Sequence, residues 1–302
     1  MAIAPMLSSD SSEAKVSSLL LQAEEALEEF PPNCELAVSL FESALAADPN
    51  NAAALDAFGE LLANLGDTAR AVQLLTRSAQ LDPKNGGGSK FFYLGQMLTG
   101  RDSLEAFRRC IHALESSDIE TVLDKACLVS AHCMVGELFM TDLCDEEEAE
   151  LECQSAFQRA LSLDSQSVEA LSGLASFHRV KLEIEEAKRL CEAAVTVVDT
   201  EVPLTVRMRL AENLVDLEMV EDALFVIATI LDEDEEDVQA WFLAACCHLV
   251  GKEVEEAAEC VAQAKRLLKK NRSEIDPDLF QHWTQSLAEI NQRLHEMCAK
   301  PQ

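Results

Sequence analysis

Turn-forming and aromatic residues are scarce in this chain of 302 residues, which holds 10 Gly, 8 Pro and only 5% aromatics. Stacked helices, which need abundant Leu and Ala and few turn residues, suit that composition. No run of about 18 apolar residues occurs, so no membrane-spanning helix is expected. The first residues lack a charged segment followed by a long apolar core, so a secretory signal peptide is not expected either. The 11 Cys contain no CxxC pair and no regular spacing. Cys127, Cys133, Cys191, Cys246 and Cys260 fall in apolar helical stretches. They read as small buried hydrophobes of a reducing compartment, where the sequon Asn271-Arg272-Ser273 has no role.

Cations are also in short supply. Against 55 Asp plus Glu stand 24 Lys plus Arg, a formal net charge of −31. Yet 48% of the residues are hydrophobic, which excludes a disordered acidic chain and puts the charge on the surface of a folded body. Such a surface repels nucleic-acid phosphates and anionic lipids and attracts basic partners, so neither direct nucleic-acid binding nor membrane binding is expected. The same charge keeps a folded chain soluble and monomeric when free.

Catalytic constellations are missing as well. His132, Cys133 and Glu137 could share a helix face, but a metal site needs three or four convergent ligands and the sequence does not complete this one. Gly86-Gly87-Gly88-Ser89-Lys90 lacks the preceding strand and the spacing of a phosphate loop. With no nucleophile elbow either, the chain is expected to be no enzyme and to carry no cofactor or metal.

What is present is a repeat. Ala37, Val38, Leu40, Asp48 and Pro49 fall on Ala71, Val72, Leu74, Asp82 and Pro83 when the chain is slid by 34 residues. An offset near 34 residues marks a helix-turn-helix solenoid. In the clearest unit, 52–85, Leu55, Phe58, Gly59 and Leu62 form the inward stripe of a first helix. Leu65-Gly66-Asp67 makes the turn, and Ala71, Leu74, Leu75 and Ser78 face back from the second. Later units are more degenerate, but Glu186-Ala187, Asp222-Ala223 and Glu256-Ala257 mark equivalent second-helix starts. A final helix, about 277–298, sets Trp283, Leu287, Ile290 and Leu294 on one face, as a terminal cap requires. The expected organisation is a disordered tail over 1–14, about seven helix pairs over 15–270, and a capping helix with a short tail over 271–302. The array is expected to fold as one cooperative body.

The pattern Leu55, Phe58, Gly59, Leu62, Ala71, Leu75, Ser78 and Pro83 resembles the tetratricopeptide-repeat family. The resemblance implies an all-α, right-handed superhelical solenoid with a C-terminal capping helix, whose first helices line the concave face. By that family geometry the partner-binding residues are Asp56, Glu60, Phe92, Gln96, Glu137, Glu169, Glu212, Asp216 and Phe242. They form a row of carboxylates with two aromatic patches, suited to an extended chain rich in Lys and Arg. The alternative for Phe92 and Phe242 is packing between helices. Members of the family that grip the acidic tails of heat-shock chaperones present Lys, Asn and Arg on this face, whereas Asp56 and Glu60 would repel such a ligand. The acidic runs Asp145–Glu148 and Asp232–Asp237 read as solvated turns or as flanks of a cationic ligand. The basic cluster Lys265–Arg272 reads as a helix C-terminus or as a nuclear import signal.

The segment Ser89–Gln96, with Gly100, Ser103, Leu104, Phe107 and Ile111–Leu114, is more specific. It resembles the dedicated assembly chaperones of large-subunit ribosomal protein four. This resemblance implies a chaperone that shields a basic ribosomal protein on its concave surface and accompanies it from cytoplasm to nucleus before ribosome assembly. The other reading is a generic tetratricopeptide scaffold for protein–protein interaction with no ribosomal client.

Overall fold

The computed structural model describes residues 9–81, 88–116, 122–273 and 275–299, which contain fifteen helices and no strand. Two compact units divide the chain at Ala149/Glu150. The first holds α1 (Ser9–Glu28), α2 (Cys34–Ala47), α3 (Ala52–Asn64), α4 (Thr68–Leu81), α5 (Ser89–Met97), α6 (Gly100–Ser116) and α7 (Val122–Met140). The second holds α8 (Ala149–Leu163), α9 (Val168–Val180), α10 (Ile184–Val195), α11 (Leu204–Asp216), α12 (Val220–Glu233), α13 (Val238–Val250), α14 (Val254–Lys270) and α15 (Pro277–Ala299). The division falls just after the acidic turn 141–148, within the stretch where the repeat signature is weakest.

The expected disordered tail changes. α1 begins at Ser9, so residues 9–14 are helical, while residues 1–8 and the expected glycine joint at Gly86-Gly87 lie outside the described residues. The apolar anchor of α1 comes later, where Val16 packs against Ala44 and Ala54.

Several hairpins share the same local chemistry. Three first helices start on a side-chain cap: Asn51 accepts from the Ala54 N–H at 3.0 Å, Ser167 from Ala170 at 3.2 Å and Asp237 from Ala240 at 2.7 Å. Three residues before each cap an aspartate closes the preceding loop. Asp48 accepts from the Asn50 N–H, Asp164 from Gln166 and Asp234 from Glu236. Four first helices end in a Schellman pair; in α3, Gly66 N–H reaches Ala63 O and Asp67 N–H reaches Leu62 O. The pattern recurs at Leu182/Glu183, Glu218/Met219 and Lys252/Glu253. The residue at the turn is left-handed each time, with φ of 81° at Gly66, 62° at Leu182, 58° at Glu218 and 63° at Lys252. Of these four turns, only the one at Gly66 places glycine where the backbone favours it.

Packing between the helices follows the inward stripes. In the first unit Phe41 and Phe58 stack at 5.5 Å over Ala23, Ala26, Ala37 and Ala71. Gly59 is there because a Cβ would lie 2.5 Å from the Leu75 side chain. In the second unit α15 packs on α13 and α14 and buries Leu287, Ile290 and Leu294, which makes it the terminal cap.

Candidate partner-binding faces

In the first unit, α3 carries Asp56 and Glu60, α5 carries Phe92 and Gln96, and α7 carries Glu137. α5 lies between and touches both neighbours. Asp56 is not a free acid. Lys90, from the first turn of α5, is fully buried, and its Nζ donates to Asp56 Oδ2 and to Ser78 Oγ, each at 3.1 Å. Asp56 itself is 17% exposed, and its Oδ1 is buried without a hydrogen-bond partner among the described residues. Glu60, one turn further along α3, stays half-buried, and burial and then the Asp56 charge raise its pKa against the opposing pull of Lys90. Phe92 packs edge-on against Phe107 at 5.7 Å and is partly buried, while Gln96 is exposed and Glu137 partly buried.

In the second unit, α9 carries Glu169, α11 carries Glu212 and Asp216, and α13 carries Phe242. Arg179, near the end of α9, pairs with Asp216 and donates through Nε to Asn213 Oδ1 at 3.1 Å. Asn213 is 1% exposed and also bonds Ser172 O and Ser176 Oγ, both at 3.0 Å, which ties α9 to α11. Gln239 donates to Glu212 Oε1 at 2.6 Å. Burial and the nearby Asp216 raise the pKa of Glu212, with Gln239 working against them. Arg209, Glu212, Asp237 and Gln239, with Leu204 and Met208, line a cavity of about 340 Å³. Glu169 is partly buried, and Phe242 meets Trp283 of the capping helix edge-on at 5.3 Å.

Two aspartates of the expected row of carboxylates are engaged inside the fold. Asp56 and Asp216 have cationic partners within the fold, and both phenylalanines pack against aromatic neighbours. Glu60 and Glu212 are the two acids of these faces whose ionisation burial opposes. Sequence reasoning took Lys90 as the end of a glycine-rich segment and did not single out Arg179. The available signal was the repeat period: Asp56 to Lys90 is 34 residues, as is Arg179 to Asn213. Equivalent positions on successive first helices face one another at that spacing.

The acidic and basic runs resolve locally. Asp234 and Asp237 are the loop-closing and capping residues of their turn, and Glu146 takes two bonds from Arg101 at 2.6 and 3.1 Å. Lys270 pairs with Glu236, and Arg272 lies 5.2 Å over the Phe280 ring. His132, Cys133 and Glu137 do not form a metal site, because no group of three such ligands converges among the described residues. Cys133, Cys191 and Cys260 are buried as expected, whereas Cys127 and Cys246 are half-buried. No described helix is long and apolar enough to cross a membrane.

Comparison with known proteins agrees with this architecture. Models of the tetratricopeptide repeat match residues 40–73 and 208–272, one stretch in each unit. The chain carries tetratricopeptide repeats. Its repeats resemble those of the "Probable assembly chaperone of rpl4" of Schizosaccharomyces pombe, with 29% identity over 67% of this chain and 65% of that protein. The protein of the same description from Emericella nidulans is 26% identical over 74% of this chain and 61% of its own length. The chain thus spans a little under two thirds of each of these relatives. Among solved structures, the assembly chaperone of RpL4 (Acl4, residues 1–338) shares the fold at a TM-score of 0.70 and 24% identity, covering 80% of this chain and 99% of that one. A tetratricopeptide repeat protein from Parabacteroides merdae does so at 0.59 and 14% identity, over 91% of this chain and 99% of the other.

Proposed function

We propose that this tetratricopeptide-repeat protein is a non-enzymatic chaperone that binds and shields a basic ribosomal protein, large-subunit ribosomal protein four, during ribosome biogenesis. The observation that carries the reading is similarity across two thirds or more of the chain to two proteins described as assembly chaperones of rpl4. The net charge of −31 suits a basic client and supports the reading independently. Within each unit, the acids that contact the client lie on the first helices of the hairpins. These are Glu60 and Glu137 in the first unit and Glu169 and Glu212 in the second, beside Gln96 and the exposed edges of Phe92 and Phe242. Asp56 and Asp216 act through Lys90 and Arg179, setting the shape and charge of the face. The free protein is a monomer, needs no cofactor, binds no nucleic acid directly, and works in both cytoplasm and nucleus.

Co-expression with ribosomal protein four, followed by pull-down at rising salt, tests this. The complex should form at low salt and weaken steeply as salt rises, because screening removes the charge term. Failure to co-purify at low salt would refute it. A second reading is a scaffold whose acids serve only solubility, favoured by the internal pairing of Asp56 and Asp216. It requires binding that ignores both salt and Glu60→Gln plus Glu212→Gln.

A further inference from the structure

Cys110 on α6 and Cys127 on α7 belong to no part of the proposed binding chemistry. Their sulfurs are 4.0 Å apart across the packed α6/α7 interface. A disulfide needs about 2.05 Å between sulfurs, so roughly 2 Å of approach separates this contact from a bond. Cys110 is completely buried, while Cys127 is half-buried and open to a small reagent. We infer that Cys110 and Cys127 form a reversible dithiol–disulfide site that is closed by a small neutral peroxide.

The two sulfurs have different roles. Cys127 is the sulfur a reagent can reach; the contact between the two thiols lowers its pKa, while that contact and burial push the Cys110 thiol up. Cys127 is therefore the attacking sulfur. Its thiolate attacks one oxygen of hydrogen peroxide, the O–O bond breaks, and Cys127 becomes a sulfenic acid as hydroxide leaves and takes a proton to form water. Cys110 then gives up its proton and attacks Cys127 Sγ, and the sulfenic oxygen departs as a second water. Two thiols are oxidised to one disulfide, and one peroxide is reduced to two waters. Asp124 and Glu60 both lie near Cys127 and oppose negative charge there. They disfavour an anionic oxidant such as glutathione disulfide, so the site selects for neutral peroxide. The product staples α6 to α7, the helix that carries Glu137.

The test treats the reduced full-length protein with hydrogen peroxide, blocks remaining thiols by alkylation, and maps tryptic peptides. Peptide 110–125 should appear joined to peptide 126–159 and be released by dithiothreitol, with loss of two thiols per chain. The link should vanish in Cys127→Ser and in Cys110→Ala, and equal concentrations of glutathione disulfide should close it more slowly. Cys127→Ser alters a half-buried position, so its circular dichroism should match that of the parent. Cys127 overoxidised with Cys110 still reduced would overturn the inference. So would peroxide consuming the exposed Cys144 while the pair stays open.

Discussion

Lys90→Met is the most direct perturbation of the first unit. The substitution removes a fully buried cation 3.1 Å from Asp56 Oδ2 and leaves a stem of similar length. At an effective dielectric near 20, two unit charges at that separation attract by about 5 kcal/mol before desolvation is counted. Loss of one partner strands Asp56, which is 17% exposed and whose Oδ1 already lacks a hydrogen bond. Glu60 also loses the cation that offsets its burial. The expected destabilisation is about 3–5 kcal/mol, the usual cost of stranding one member of a buried pair. Adding Asp56→Asn should recover most of it, since a neutral pair in that space has no charge to desolvate. Urea unfolding followed by circular dichroism measures the total, and amide exchange in α3–α5 localises it. A loss below about 1 kcal/mol, or a double variant no better than the single one, would refute the assignment of Lys90 as the internal counter-ion of this face. The same geometry makes Asp56→Lys a poor probe of partner binding, because it sets two cations against each other inside the fold.

Glu60→Gln and Glu212→Gln should each raise stability at neutral pH while weakening client binding. Both pKa values are raised by burial, so the folded state resists ionisation; the gain is full above the folded pKa and fades as pH falls to the ordinary carboxylate range, which paired urea titrations at pH 7 and pH 4 would read. Arg207→Ala should cost about 3 kcal/mol or more, since this 1% exposed side chain holds Val202 O at 2.9 Å and Thr229 O at 2.8 Å besides pairing with Glu233. Arg207→Lys should not rescue it, because an ammonium lacks the planar fork. Tryptophan fluorescence reports on this unit alone, as Trp241 and Trp283 both belong to it. Leu182→Gly, at an exposed left-handed turn residue, should stabilise by up to about 1 kcal/mol, whereas Gly66→Ala should cost about 1 kcal/mol, both measured by thermal unfolding.

The sequence by itself determined the hairpins and their punctuation. Asn51, Ser167 and Asp237 as caps, Ala71 and Ala187 at second-helix contacts, and Leu287, Ile290 and Leu294 on the last helix all follow from local propensity and a period near 3.6. Those signals are short-range, and each is complete within about twenty residues of chain. Which acids are paired with cations inside the fold was decided only by the tertiary structure. Asp56 and Glu60 look alike in the sequence, one turn apart on the same helix, yet Lys90 arrives from 34 residues away and neutralises one of them more than the other. Arg179 does the same for Asp216, and Trp283 and Phe107 take up the faces of Phe242 and Phe92. Helix pairs form from neighbours in the chain, but charge is balanced between neighbours in space. Only stacking successive first helices brings those groups within a few ångströms of one another.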